Sequence, residues 1–306
     1  MAKRQGNHRP QGGRRLTDVL FIAPAILGFA VVIIIPFLLG IGYSFTDWDG
    51  LKSNLNFVGW INYAAIFRDT KFLYSFWATL KYAVINVVFV NITAFCLALL
   101  VTGRARGRNI YRAGFFVPNL IGGIVLGTIW QFIFSNIIPS IAGALGIGAL
   151  SVSLLANGPS IIWMMSVVNT WQYAGYIMMI YVAGIQGISE SVIEASKVDG
   201  ANYYTRVRRI ILPLVSNAFT ISLFLTLTNS FKSYDVNVAL TNGGPAGIVM
   251  GKATQLSELL ALNIYNTAYL YNKMSEGQAK AVIFFIALAI LSLTQVSITK
   301  KREVEM

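Results

Sequence analysis

Hydrophobic residues occur in six long runs that are separated by shorter polar stretches. A helix needs about 20 mostly apolar residues to cross the hydrocarbon core of a bilayer. The runs therefore predict six membrane-spanning helices, at residues 19–45, 76–101, 113–134, 161–188, 210–231 and 278–299. This pattern is typical of an all-α, polytopic membrane protein.

The polar stretches divide the chain into a membrane domain and two tails. We expect an N-terminal tail at residues 1–18, a transmembrane domain at 19–299 and a C-terminal tail at 300–306. The first apolar run is longer than the hydrophobic region of a signal peptide, which favours a retained helix over a cleaved leader. External loops are expected at residues 46–75, 135–160 and 232–277.

Composition and charge agree with this plan. The 306 residues are 56% hydrophobic and 12% charged, and the net charge is +12. Lys and Arg concentrate on one side of the six-span plan, at residues 1–18, 103–112, 191–213 and 300–306. By the positive-inside rule this side faces the cytoplasm, so we expect both termini there and no nucleic-acid partner.

Several chemistries are excluded by the residues available. The single cysteine, Cys96, cannot form an intrachain disulfide, and His8 is the only histidine, so no metal site of these residues is expected. Every Asp and Glu is expected in a loop, a tail or the charged segment near residue 200. This argues against a membrane-embedded enzyme and against a stand-alone ion-coupled carrier, since both need ionisable groups within the membrane. Lys81 is expected to extend to the interface, and a functional charge is the alternative.

The charged segment at residues 189–209, called the elbow below, lies between the fourth and fifth apolar runs. Ser191 and Glu194 have capping-box spacing, which predicts the start of a short helix. Gly200 follows Asp199 and suits the left-handed position that ends such a helix, with a second helix from residue 201. Pro213 is expected to begin the fifth span.

The elbow resembles the EAA loop of ABC importer permeases. The resemblance rests on Glu194-Ala195-Ser196, Asp199-Gly200-Ala201 and Leu212-Pro213. Ser196 stands where the family has a second Ala, and Val207 where an aromatic residue is common. Three further stretches, FVGWINYAAIFRDTKF, YRAGFFVPN and LTNGGP, resemble the sugar-type subfamily, so the resemblance covers nearly the whole chain.

The resemblance implies a transport subunit without catalytic residues in a bacterial cytoplasmic membrane. It implies four kinds of partner: a second permease subunit, ATPase subunits that bind the ATP, an extracellular solute-binding protein and membrane lipid. No cofactor is expected in this chain. The first helix of the elbow would couple to the ATPase, and the alternative is a solvated loop. The residues implied in coupling are Ile193, Glu194, Ala195, Ser196, Asp199 and Gly200.

Neutral polar residues within the spans are candidates for substrate binding, because in hydrocarbon they must face the bundle or a wet cavity. Amides, hydroxyls and aromatic faces suit a sugar, whereas helix–helix hydrogen bonding is the alternative role. The resemblance implies a sugar or an oligosaccharide, with glycerol phosphate as the alternative. The candidates are Phe115, Asn119, Asn169, Gln172, Tyr173, Tyr176, Asn229, Ser230 and Ser233.

Residues 247–254 look like a phosphate-binding loop but do not fit one. Walker A needs four residues between its glycines and Ser or Thr directly after Lys. Here three residues separate Gly247 from Gly251, and Ala253 follows Lys252. We therefore expect no nucleotide site in this chain, and we interpret Gly243-Gly244-Pro245 as a tight external turn.

Overall fold

The computed structural model describes residues 11–103 and 107–301, which form a helical bundle with one β-hairpin. The basic tail up to Pro10, with His8, lies outside the described residues, as do Arg104, Arg106 and Arg302. The helices are α1 (Gln11–Phe29), α2 (Ile35–Tyr43), α3 (Ile61–Ile66), α4 (Thr70–Thr102), α5 (Arg108–Phe116), α6 (Gly123–Phe132), α7 (Ile138–Ala144), α8 (Gly158–Gln186), α9 (Glu190–Val198), α10 (Tyr203–Arg206), α11 (Leu212–Leu214), α12 (Ser216–Phe231), α13 (Asp235–Thr241), α14 (Leu260–Tyr265) and α15 (Met274–Lys300).

Short irregular turns connect several of these helices. The π-helical turns are Ala30–Ile34, Ile133–Ile137, Val207–Ile211 and Asn266–Leu270, and the 3-10 turns are Val117–Leu120 and Gly148–Leu150. The strands β1 (Ala246–Val249) and β2 (Lys252–Gln255) pair antiparallel, with Ala246 opposite Gln255.

The all-α prediction is confirmed. Within the described ranges, four helical segments are long and apolar enough to cross a membrane, at Val19–Tyr43, Thr70–Thr102, Gly123–Ala144 and Met274–Lys300. Two bent helix pairs raise the number to six if each pair is one span. These pairs are Gly158–Gln186 with Glu190–Val198, and Tyr203–Leu214 with Ser216–Phe231.

The predicted third span, 113–134, is placed wrongly by about ten residues. Helix α5 ends at Phe116 because Pro118 lies in the 3-10 turn that follows, where its missing N–H and fixed φ stop an α-helix. Gly122 then caps α6, and the membrane-crossing segment runs over Gly123–Ala144. The predicted loop 135–160 is correspondingly shorter.

The predicted loop 46–75 is also shorter than expected. Asp69 caps α4 by accepting a hydrogen bond from the Lys71 backbone N–H at 3.0 Å, so the second span begins at Thr70. The short helix α3 lies within the remaining loop. Lys81 is exposed on the surface of α4.

Three helices, α4, α8 and α12, form the centre of the bundle and are joined by a buried polar chain. The Tyr181 hydroxyl donates to Asn91 Oδ1 at 2.7 Å, and Asn91 Nδ2 donates to Thr226 Oγ1 at 3.3 Å. Thr226 in turn donates to the Ser222 carbonyl at 2.7 Å. By contrast, the membrane-crossing part of α1 and α2 has no buried residue in its most apolar stretch. That surface is left for lipid or for another subunit.

A buried lysine joins the start of α4 and the segment around α14 to the last span. Lys280 is 2% exposed on α15, and its ammonium lies 2.8 Å from Asp69 Oδ2 and 3.6 Å from Glu276 Oε1. It also donates to Thr267 Oγ1 at 2.9 Å and to Asn263 Oδ1 at 3.3 Å. We call these five residues the Lys280 latch. The expectation that every Asp and Glu lies in a loop, a tail or the elbow is wrong for Glu276, which belongs to the first turn of α15.

Burial opposes ionisation of the Asp69 carboxyl, but hydrogen bonding and attraction from Lys280 outweigh it, so the pKa of Asp69 lies below its usual value. A lowered pKa means that the ionised carboxylate stabilises the folded state. The contribution is fully present above the pKa of an unfolded Asp and is lost as the pH falls through the lower, folded pKa.

We expect Lys280→Met to lower the free energy of unfolding by on the order of 3 kcal/mol, because it leaves Asp69 unpaired beside the bundle. Thermal unfolding of the detergent-solubilised protein measures this. Adding Asp69→Asn should restore part of the loss, since Asn can still cap α4 and Glu276 keeps Lys273 at 3.0 Å. The matched control is Lys273→Met, an exposed partner of Glu276, which should cost less than about 1 kcal/mol. Equal losses in Lys280→Met and Lys273→Met would contradict the latch.

Candidate functional site

The elbow is held between two sharp bends of the chain. Helix α9 is turned by 72° from α8, and Tyr203–Leu214 is turned by 72° from α12. Pro213 lies in the three-residue helix α11, just before the second bend, so the prediction that it begins the fifth span is wrong by a few residues.

The end of α9 is fixed by a Schellman-type cap. Gly200 adopts φ +75°, the left-handed region that favours glycine. The Ala201 N–H donates to the Ser196 carbonyl at 2.9 Å, and the Gly200 N–H donates to the Lys197 carbonyl at 3.0 Å. The turn predicted at Asp199-Gly200 is therefore confirmed.

The predicted capping box at the start of α9 is wrong. Ser189 holds the N-cap position, two residues earlier than expected, and Ser191 lies within the helix. The Ser189 and Ser191 hydroxyls are hydrogen-bonded to each other at 2.7 Å. Glu190 is the acidic residue of the first turn, where its negative charge is attracted to the positive end of the helix dipole.

The six predicted coupling residues face different ways. Glu194, Ala195, Asp199 and Gly200 are exposed. Ile193 is partly buried and packs against the apolar core of α4 and α8, while Ser196 is 5% exposed and donates to the Ile193 carbonyl at 2.6 Å. Val198, which is 87% exposed, adds an apolar side chain to the outer surface. The exposed surface of α9 thus combines two carboxylates with small apolar groups.

A cavity of about 1010 Å³ lies behind the elbow, between α9 and the end of α4. Its wall carries both signs of charge, from Glu190, Glu194, Lys197 and Arg206, beside apolar residues such as Ile193. Arg206 also donates to the Ala201 carbonyl at 2.9 Å, which ties α10 to the turn at Gly200. Hydrogen bonds therefore tie the elbow together, and a cavity lies beside it.

The predicted binding residues of α8 lie near α5 and α6. Asn169 is 4% exposed, and Gln172 donates to the Ile121 carbonyl at 2.9 Å. The Tyr173 and Tyr176 rings contact each other with centroids 5.3 Å apart. Helix α5 approaches α8 closely at Gly175, where an added Cβ would lie 1.8 Å from the Phe115 carbonyl oxygen.

The other predicted binding residues have varied surroundings. Phe115 packs against the apolar core and lines a cavity of about 570 Å³ between α4, α5 and α8. Asn119 is half-buried in the 3-10 turn after α5. On α12, Ser230 is fully buried and donates to the Thr226 carbonyl at 2.8 Å, whereas Asn229 is half-buried. Ser233 is also half-buried and lies in the segment just after α12.

Helix α4 carries buried polar residues that the sequence interpretation missed. Thr79, Tyr82, Asn86 and Asn91 are each 5% exposed or less. The signal was present, because Ser75, Thr79, Tyr82 and Asn86 follow the i, i+4, i+7, i+11 spacing of one helix face. The central bundle therefore has polar side chains on three helices, not on two.

The segment that resembles a phosphate-binding loop forms the β1–β2 hairpin. Ile248 and Met250 at its tip are 81% and 87% exposed. Asn242 and Gly243 adopt positive φ before Pro245, in agreement with the predicted turn. Among the described residues, no group of three or more His, Cys, Asp and Glu could hold a metal ion.

Comparisons with known proteins give one consistent result. The family described as "Binding-protein-dependent transport system inner membrane component" matches residues 5–299. The probable starch degradation products transport system permease protein AmyD of Thermoanaerobacterium thermosulfurigenes is 45% identical, over 94% of this chain and 95% of AmyD. The multiple sugar-binding transport system permease protein MsmF of Streptococcus mutans is 29% identical, over 92% of this chain and 94% of MsmF.

Solved structures agree on the fold. A chain of a bacterial ABC transporter that imports the acidic polysaccharide alginate superposes with a TM-score of 0.77 at 16% identity, over 94% of this chain and 99% of that chain. Together, the family match, the relatives and the apolar helices show that this chain belongs to the binding-protein-dependent transport system inner membrane components, the multi-pass permease subunits of ABC importers.

Proposed function

We propose that this chain carries a sugar or an oligosaccharide across the bacterial cytoplasmic membrane, with both termini on the cytoplasmic side. The assembly would contain a second permease subunit, two ATPase subunits that bind the ATP and an external solute-binding protein. The observation that carries the proposal is the elbow, a hydrogen-bonded segment between two 72° bends that exposes Glu194 and Asp199. Such a segment can pass a movement of a partner into the spans on either side.

The coupling role falls on the exposed part of α9. Glu194 and Asp199 can pair with basic groups of an ATPase, and Ala195 and Val198 supply apolar contact. Ile193 supports α9 through its packing against the core, and Ser196 is bonded within α9 to the Ile193 carbonyl. ATP binding would draw the elbows together and tilt the spans from an inward-open to an outward-open pathway, and hydrolysis would reset them.

A sugar fits the neutral polar residues of the bundle better than a charged solute does. Phe115, Asn119, Asn169, Gln172, Tyr173, Tyr176, Asn229, Ser230 and Ser233 offer amides, hydroxyls and rings without a charge. The relatives named for starch degradation products and for multiple sugars support this class. Relatives named for sn-glycerol-3-phosphate transport, at 26–27% identity, support glycerol phosphate as the second candidate.

The proposal is tested by uptake into proteoliposomes that contain this chain, its partner permease and the ATPase, with the solute-binding protein outside. We expect ATP-dependent uptake of radiolabelled maltotriose, and none when the ATPase is left out. Radiolabelled glycerol 3-phosphate in place of maltotriose decides between the two solutes. Uptake of either solute without the ATPase would rule out the coupled mechanism.

For the elbow, we expect Gly200→Val to reduce transport severalfold while membrane abundance stays unchanged. An added Cβ at Gly200 meets no atom within 4 Å, so the strain comes from φ +75° alone, roughly 1–2 kcal/mol for a β-branched residue. Gly200→Asn is the matched control, since Asn adopts this conformation more readily. The measurement is uptake per ATP hydrolysed, and equal ratios for the two variants would argue against coupling through this turn.

For substrate binding, we expect Asn169→Ala and Ser233→Ala each to lower the rate of uptake roughly tenfold at equal membrane abundance, the effect of losing one hydrogen bond to substrate. Asn136→Ala is the control, because Asn136 is an exposed amide in the third span. If Asn169→Ala behaves like Asn136→Ala, the amide serves helix packing and not the substrate.

A further inference from the structure

Helix α4 holds polar groups that are buried without partners. Ser75, Tyr82 and Asn86 are each 0% exposed. Within the part of the chain that the structure describes, the hydroxyls of Ser75 and Tyr82 and both amide atoms of Asn86 lack a hydrogen-bond partner. Nearly all buried polar groups in folded proteins are paired, and in an apolar surrounding an unpaired one costs free energy. Such groups therefore indicate a role beyond packing.

Asn91, on the same helix, is an example of an amide with a structural role, because its side chain is fully hydrogen-bonded. Its Nδ2 donates to the Val87 carbonyl at 2.8 Å and to Thr226, and its Oδ1 accepts from Tyr181. Asn91 thereby links three helices. Asn86 is as deeply buried and has the same chemistry, yet it makes none of these bonds among the described residues.

The unpaired groups lie beside the binding residues proposed above. The Tyr82 hydroxyl lies next to the side chains of Ser233 and Asn86, but neither contact has the distance and angles of a formed hydrogen bond. Tyr82 belongs to the same packed cluster as Val168, the residue before Asn169. Asn169 Nδ2 is itself unpaired among the residues described. Buried polar groups without a formed hydrogen bond are thus concentrated where α4, α8 and the end of α12 come together.

We propose that Asn86 and Tyr82 are specificity-determining residues that bind hydroxyl groups of the transported solute. In the conformation described both side chains are buried and inaccessible to the solute. They would contact the solute when α4 separates from α8 and α12 during transport. The groups are neutral donors and acceptors, which match a hydroxyl better than a carboxylate or a phosphate. This inference rests on the proposed function and adds α4 to the helices that contact the solute.

The test compares Asn86→Leu with Asn91→Leu in the reconstituted assembly. Asn86→Leu removes an unpaired polar group, so its melting temperature should equal or exceed that of the wild type, while uptake falls roughly tenfold for the loss of one solute hydrogen bond. Asn91→Leu should lower the melting temperature, because it orphans the Tyr181 hydroxyl, and leave uptake per folded complex within about twofold. Tyr82→Phe should reduce uptake without loss of stability.

Uptake is measured with maltotriose and with glycerol 3-phosphate, both of which carry hydroxyl groups. Absence of ATP-dependent uptake of both by the wild type would overturn the proposed function. Normal uptake by Asn86→Leu would overturn only the present inference. So would a drop in melting temperature as large as that of Asn91→Leu, since it would show that Asn86 serves packing, through ordered water or otherwise.

Discussion

The absence of water in the hydrocarbon core is the constraint on which the rest of this structure depends. Every polar group placed there must find a partner within the protein. The backbone meets this demand by forming helices. The side chains meet it by linking helices, as Tyr181, Asn91 and Thr226 do across α4, α8 and α12. The same constraint gives meaning to the few groups that stay unpaired, because a packing role alone does not explain them.

The constraint also separates what hydrophobicity predicts from what it cannot. Apolar runs located most of the spans, since the length of a run is set by the thickness of the bilayer. The third span was misplaced because residues 113–122 are apolar enough to enter the membrane, yet Pro118 stops the helix that contains them. The average hydrophobicity of a segment does not show that Pro118 lacks the backbone N–H that an α-helix needs.

Side-chain partners were harder to predict than helices. The turn at Gly200 could be predicted because it is a local property of two adjacent residues. The Lys280 latch could not, because Asp69 and Lys280 are 211 residues apart and their ion pair depends on how α15 packs beside the start of α4. The polar face of α4 could have been found from its spacing, but its unpaired state is a property of the packed bundle. The sequence therefore predicts local turns, but not side-chain contacts between residues that are distant in the chain.

The polar residues of the bundle therefore fall into two groups, those with a bonding partner and those without one, and residue type does not decide the group. The Lys280 latch and the Asn91 chain have formed their hydrogen bonds and ion pairs, and such groups hold segments in one arrangement. Asn86, Tyr82 and Asn169 keep bonds unmade in the same surroundings, and an unmade bond favours any conformation in which it can form. A transporter needs both kinds, because the spans must stay assembled while α4, α8 and α12 open to a solute. A closed bundle in which every polar group has a hydrogen-bond partner would be more stable, and opening it would therefore cost more free energy.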